Sequence, residues 1–182
     1  VRSSNNSKQI THTHTHSKTQ SKFQGSHSMD NNNGVFKKLA KFIGVFSTAE
    51  NEAKESISMT APVALRPTEN EKEFTMSFFL PKKYKTMKDI PAPTREDVNI
   101  VALPERVVAV RTFSGSFKRS NCDKNESTLR SALRRDGIEI IGGEKTQASV
   151  FGYNPPWTLS WYRTNEVLLP VKFEGKEEKS SE

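Results

Sequence analysis

The sequence holds a single cysteine, Cys122, in 182 residues. An internal disulfide and a cysteine-cluster metal site each require more than one thiol, so both are excluded and a reducing compartment is the natural setting, with the cytoplasm as the default. Long apolar runs are also missing. No stretch approaches the ~18–20 apolar residues a helix needs to span a bilayer, and the first residues lack the apolar core of a secretory signal, so a soluble protein with no membrane span is expected. Basic residues never run more than two in succession, as at Lys37-Lys38 and Arg134-Arg135. Aromatic and basic residues do not interleave as they do on a base-stacking platform, so the net charge of +7 does not argue for nucleic acid. Paired carboxylates, a serine with a base and a metal triad are absent as patterns. Asp97, Asp123, Glu126, Asp136 and Glu166 are dispersed on expected helix starts, loops and strand edges, where carboxylates serve caps and solubility. The expectation is a binding protein that is not an enzyme.

What is present is unevenly distributed. Hydrophobic residues make up 33% of the whole, but few of them fall before Gly34. Residues 1–33 are dominated by Ser, Asn, Thr, Gln, Lys and His, which predicts a largely disordered leader that buries too little apolar surface to offset the entropy of ordering. Inside it Thr11 to His16 reads THTHTH, whose period of two would also suit an edge strand over Gln9 to Thr15. His12, His14, His16 and His27 all fall in this leader, where alternating imidazoles could loosely capture a metal or haem iron. Residues 34–174 form the expected domain, and 175–182 a charged tail.

Within the domain, Val35, Phe36, Leu39, Ala40, Phe42, Ile43 and Phe46 recur at three- and four-residue steps and predict an amphipathic helix capped by Asn31 to Asn33. Phe74 to Leu80 alternates as a strand and ends at Pro81. Val98 to Leu103 and Val107 to Phe113 read as a strand pair turning at Pro104 and Glu105. A second helix is expected from Asp123, with Glu126 completing a capping box, Leu129, Ala132 and Leu133 as the apolar stripe, and Gly137 as a left-handed stop. Ile138 to Ile141, Ala148 to Tyr153 and Glu166 to Phe173 are read as further strands, the last an edge because of Pro170. The class implied is α+β with a mainly antiparallel sheet.

Four stretches, Gly34 to Gly44 (GVFKKLAKFIG), Ile57 to Val63 (ISMTAPV), Met76 to Pro81 (MSFFLP) and Gly152 to Val167 (GYNPPWTLSWYRTNEV), together resemble the SOUL/haem-binding family. Phe113-Ser114-Gly115 and the helix end Leu133 to Gly137 sit where the family has its counterparts. The resemblance implies a distorted antiparallel β-barrel with two flanking helices and two similar halves, like bacterial effector-binding domains. It also implies haem or a related tetrapyrrole as ligand, held in an apolar groove beside the first helix. The matching positions are Val35, Leu39, Phe42 and Ile43 for the apolar face and Lys38 and Lys41 for the propionates, with Tyr153 and Trp157 as a second wall beside Trp161. A porphyrin offers a flat apolar face and two carboxylates, which such a groove would suit. On the residues alone, a stripe like this one is also what a core-facing helix shows, and its lysines are what a solvated face shows. With Val1-Arg2 opening the first strand, the place where one family member has been proposed to carry its haem-ligating histidine is Ser3. Haem would then be held without an axial histidine, with Met59, Met76, Met87, Cys122 and the tyrosines as formal substitutes. Met59 and Pro62 read as structural, with Met59 filling a gap below the first helix.

A second function class is a protein-interaction module. The helix over 123–137 resembles the segment by which a family member has been proposed to engage a groove-bearing protein partner. Its leucines would have to be exposed to serve that purpose.

Overall fold

In the computed structural model of the chain, residues 8–13, 16–24, 33–68, 73–155 and 157–172 are described. Their elements run β1 (Lys8–Thr13), β2 (His16–Gln24), α1 (Asn33–Ile43), β3 (Val63–Pro67), β4 (Glu73–Phe79), β5 (Asn99–Leu103), β6 (Arg106–Phe113), α2 (Arg119–Arg135), β7 (Ser149–Gly152) and β8 (Asn165–Pro170). All strand pairs are antiparallel, in the order β1-β6-β8-β7-β3-β4-β2-β5. The α+β class with an antiparallel sheet and two helices is therefore as expected. The sheet is not closed by its pairings, because β1 and β5 stand at its two ends.

The order carries an internal symmetry. Exchanging β1 with β5, β2 with β6, β3 with β7 and β4 with β8 reverses the order onto itself, and the same exchange swaps α1 with α2. Each half thus has a three-strand unit, β2-β4-β3 or β6-β8-β7, and the units meet where β3 pairs with β7.

Each helix covers its own unit. Under α1 lie Leu39, Phe42 and Ile43 with Leu65, Met76 and Phe78, and Ile57, Val98 and Phe117 close the cluster. Under α2 lie Leu129, Leu133 and Cys122 with Ala109, Phe113, Val167 and Leu169. The opposite face of β6 and β8 is also buried, through Val108, Val110 and Leu168. Period-two alternation thus sends Ala109, Val167 and Leu169 to one face and Val108, Val110 and Leu168 to the other.

Several expectations change. The leader is not disordered over residues 8–13 and 16–24: β1 pairs with β6, and β2 lies between β4 and β5. Composition measures apolar mass, but a polar strand whose neighbours supply hydrogen-bond partners gains its order from ladders that composition does not register. His12 and His16 are therefore in the sheet, opposite Val107 and Leu103. Ser3, His14, His27, Asn31, Asn32 and the tail over 175–182 lie outside the described residues.

The expected hairpin at Pro104 and Glu105 is also not one. β5 and β6 each pair with other strands and not with each other. β8 is interior, between β6 and β7, and tolerates Pro170 because it is the strand's last residue. Of Ile138 to Ile141, Ile140 forms an isolated bridge to Val171, Ile138 and Glu139 are irregular and Ile141 lies in a turn.

Helix α2 starts at Arg119, four residues before the expected Asp123, with extended Lys118 as its N-cap and no side-chain capping bond. Glu126 is instead occupied by Arg130, whose Nη2 lies 2.7 Å from its Oε1. Gly137 does take the left-handed conformation after the helix.

A chain lacking residues 1–24 is expected to lose its cooperative thermal transition, because β4, β5 and β6 would each lose a partner strand. Circular dichroism melts alongside the full chain check this. An unchanged transition would mean that β1 and β2 contribute nothing to stability.

Candidate functional site

The first helix supplies the core and, at its C-terminal end, an apolar surface. Val35, Leu39, Phe42 and Ile43 are buried in the cluster beneath α1, so their stripe packs the domain itself. Phe36 stands at the edge, edge-to-face on Phe78 at 5.3 Å. The two lysines are partly exposed and ion-paired, Lys38 to Asp97 at 2.7 Å and Lys41 to Glu50 at 3.3 Å. Arg95 and Lys38 together hold the Asp97 carboxyl well below the usual carboxylate range. Lys38 is therefore engaged on the protein, and a ligand carboxylate would have to displace Asp97.

How α1 stops determines what lies beyond it. Gly44 turns left-handed, with Gly44 N–H bonding Lys41 O and Val45 N–H bonding Ala40 O. A Cβ on Gly44 would sit 3.0 Å from Ala49 Cβ, so a side chain there is excluded twice over. The buried Asn51 secures the turn: its amide donates to Phe42 O and Glu55 O, each at 2.9 Å, and its oxygen accepts from Glu55 N. Val45 and Phe46 then emerge into solvent, Phe46 with 65% of its surface exposed.

Ile57 N–H bonds Ile43 O, which brings the Ile57 to Val63 segment to the same end of the molecule. There the Thr60 hydroxyl donates to Phe79 O, and Met59 is 44% exposed. Met59 is thus a surface side chain, not the expected filler below the helix.

The Tyr153 to Thr164 loop leaves the sheet at this same end, because Val63 pairs with Gly152. Tyr153 is partly exposed, and its hydroxyl donates to Glu166 Oε2 at 2.6 Å. Burial and the Glu166 carboxylate push the phenol pKa up, so Tyr153 keeps its proton and is not a phenolate ligand. Trp157 projects outward from the loop. The structure therefore brings Tyr153 and Trp157 to the end of the sheet that α1 points toward, but not onto the α1 stripe. Phe46 continues the helical period in the sequence and so reads as part of the stripe; the stop signal at Gly44 is the clue that it, with Val45, leaves the core.

Helix α2 presents a different surface. Leu129 and Leu133 are buried under it, so they are not available to a partner protein. Along its outer side runs a polar cleft of about 720 Å³ lined by Arg119, Glu126, Arg130, Arg134 and Glu144 among others. Its charges pair within the cleft, Arg119 with Asp123, Arg130 with Glu126 and Arg134 with Glu144. Between α2 and the β3–β7 junction a cavity of about 50 Å³ is too small for a porphyrin.

The family model for the SOUL heme-binding protein matches residues 2–170. The chain belongs to the SOUL heme-binding protein family. Curated proteins gave no match. Among solved structures, the fold of this SOUL chain is similar to the EcmrR C-terminal domain, at 10% identity and TM-score 0.63 over 94% of this chain and 100% of that one. It is also similar to a protein from Listeria innocua described as a hydrolase, at 11% identity and TM-score 0.60 over 91% of each chain. An uncharacterized conserved protein from Listeria innocua matches at 11% identity and TM-score 0.61, over 91% and 92% of the two chains. At such identities the likeness is one of fold.

In this SOUL chain, no helix among the described residues is long and apolar enough to cross a membrane, and no group of three His, Cys, Asp or Glu side chains among them could hold a metal. The formal axial ligands separate by burial. Met76 and Cys122 are buried, whereas Met59 and Met87 are exposed. Burial pushes the Cys122 thiol up to about 12, so at neutral pH it is an uncharged packing group.

Two outcomes follow for Cys122. Its reaction with a thiol reagent at neutral pH should be slow and should accelerate on adding denaturant, as followed by absorbance. Because its folded pKa lies above the unfolded value, its contribution to stability is complete below about pH 9 and is lost as pH rises from about 9 to about 12. Urea midpoints of the wild type and of Cys122→Ala should accordingly converge across that window.

Proposed function

We propose that the chain binds a tetrapyrrole, haem or a related porphyrin, as a carrier or buffer that performs no chemistry on it, in a reducing compartment such as the cytoplasm. The site we infer is the apolar end of the molecule beyond α1, where Val45, Phe46 and Met59 offer a face to the macrocycle and Tyr153 and Trp157 a second wall. Lys41 at the helix end, and Lys38 one turn earlier, are the cations for the propionates, exchanging Glu50 and Asp97 for ligand carboxylates. The observation that carries this reading is the family assignment over residues 2–170, joined to an exposed apolar surface at the end of the helix that the family resemblance designates. The buried stripe of Val35, Leu39, Phe42 and Ile43 serves the site indirectly, by fixing where α1 ends.

The macrocycle needs no protein axial ligand in this arrangement, because apolar contact and two charge pairs act on the ring and not on the metal. Met59, an exposed thioether at this end, would be available to a haem iron. We also read the sheet as a distorted barrel around which the two helices pack. That reading is supported by register: Thr13 lies opposite Arg106 at the end of one ladder, and His16 lies opposite Leu103 at the start of the next. The same alignment thus carries across from the β1–β6 pair to the β2–β5 pair, as it would if each pair of segments were a single long strand.

Titration with haemin and with metal-free protoporphyrin, followed by absorbance and tryptophan quenching, tests the proposal. Both ligands are expected to saturate at one equivalent. Phe46→Glu is expected to weaken both by roughly tenfold or more, the loss of about 1.5–3 kcal/mol of apolar contact. Met59→Ala should weaken both ligands through lost apolar contact and, in addition, shift the haemin spectrum alone if its thioether meets the iron. Failure of both ligands to saturate would remove the tetrapyrrole reading.

A further inference from the structure

The loop over 153–164 is held firmly yet turns its apolar side chains outward. At its base Tyr153 N–H bonds Thr164 O at 3.2 Å and Thr164 N–H bonds Asn154 Oδ1 at 2.6 Å. Across its middle the Arg163 guanidinium donates to Thr158 O at 2.7 Å, and a short 3₁₀ turn covers Ser160–Tyr162. The loop is also docked on the β6–α2 connection: Gly115 N–H bonds Ser160 O at 2.9 Å, and the buried Asn165 donates to Gly115 O at 3.1 Å. Gly115 itself is left-handed, and a Cβ there would lie 3.0 Å from the Asn121 amide. So many bonds would ordinarily accompany side chains packed inward. Here Trp157 is 83% exposed, Leu159 54%, Trp161 65% and Tyr162 70%. Trp161 and Tyr162 lean together with ring centroids 6.2 Å apart. None of these four side chains belongs to a core cluster, so folding does not account for them.

The charges within the tip are basic. Over residues 153–165 the sole charged residue is Arg163, and over 114–121 the charged residues are Lys118 and Arg119; the nearest acids are already engaged, Asp123 by Arg119 at 2.8 Å and Glu166 by the Tyr153 hydroxyl at 2.6 Å. The whole chain carries +7. Tryptophan and tyrosine prefer the headgroup level of a bilayer, where the ring is half in hydrocarbon and its polar atom is wet, and basic residues beside them favour an anionic leaflet. Proline at 155 and the cross-bonds above hold the tip in advance, so little ordering entropy is spent on contact.

We propose that Trp157, Leu159, Trp161 and Tyr162 form a peripheral lipid-docking tip that seats this end of the protein on the surface of an anionic membrane. The occupant is a bilayer surface of anionic phospholipid. The docking is argued without the tetrapyrrole reading, with which it shares Trp157, and it would bring the Phe46 and Met59 surface close to the phase in which an apolar macrocycle partitions.

The test is co-sedimentation of the full chain, with no tetrapyrrole present, with vesicles of phosphatidylcholine alone and of phosphatidylcholine with phosphatidylserine. Binding is expected to the anionic vesicles, with a blue shift of tryptophan emission, weakening as salt rises. The pair Trp161→Ala and Tyr162→Ala is expected to reduce binding roughly tenfold or more, and Leu159→Asp to do the same, while the thermal midpoints stay near that of the wild type. The proposal is overturned if the wild type fails to sediment with anionic vesicles, or if both tip variants bind as well as the wild type. If the wild type ignores vesicles yet binds a protein through this loop, the tip is a protein-docking element and the lipid assignment is wrong. Haemin titration of the same samples reports on the tetrapyrrole reading separately.

Discussion

The structure depends on an exchange of strands between its halves. β1 precedes the first half in the chain but pairs with β6 of the second, and β5 precedes the second half but pairs with β2 of the first. Neither half can complete its sheet without a segment from the other. The direct junction between the units, β3 with β7, covers three residue pairs, whereas the exchanged strands add six pairs on one side and five on the other. The polar N-terminal segment is therefore as much a part of the domain as the apolar helices. Its contribution is backbone hydrogen bonding and cross-strand pairing, not buried apolar area.

That constraint explains which parts of the fold could be read from the residues. Elements that bury one face announce themselves by period: α1 by its three- and four-residue steps, β4 by Phe74, Met76, Phe78 and Leu80, and β8 by Val167 and Leu169. β1 and β2 carry their pattern in Thr, Ser, Lys and Gln, and the same letters describe a disordered tract. Only the partner strands decide between the two, and partners are not local information. The misreading at Pro104 and Glu105 has the same origin. Two strands separated by two residues suggest a hairpin, but β5 and β6 are claimed by β2 and by β1 with β8.

The candidate site was legible in a similar, partial way. Tyr153 and Trp157 stand at the end of the sheet that α1 points toward, whereas the α1 stripe that the family resemblance gives to the ligand is buried in the core. A buried stripe and a ligand-facing stripe are the same letters at the same spacing, and Leu39 at 0% exposure is distinguished from Phe46 at 65% only by where the helix ends. Gly44, with its left-handed backbone against Ala49, makes that division. The apolar residues before it pack inward, and Val45 and Phe46 after it are exposed. The helix of the second half shows the same division by a different route. Leu129 and Leu133 resemble an interaction motif by sequence, yet the sheet of the second half takes them.

The two halves share an order of elements but not a surface. The α1 end and the loop over 153–164 lie at one end of the sheet, where the exposed apolar residues Phe46, Met59, Trp157 and Trp161 accumulate. By the internal symmetry the opposite end should carry the equivalents, the turn after α2 and the connection from β3 to β4. The turn after α2 presents one exposed apolar side chain, Ile141, among Glu139, Glu144 and Lys145, with Glu144 and Lys172 engaged in ion pairs with Arg134 and Glu139. A duplicated framework has no need for two such ends, and stability does not require either. Folding is satisfied by the inward faces of both halves, so the outward apolar residues at the α1 end are the surface on which the proposed contacts rest. On the readings proposed above, the partner is a ligand or surface that is apolar over part of its area and negatively charged over the rest, able to exchange with Glu50 and Asp97 for the lysines they now hold.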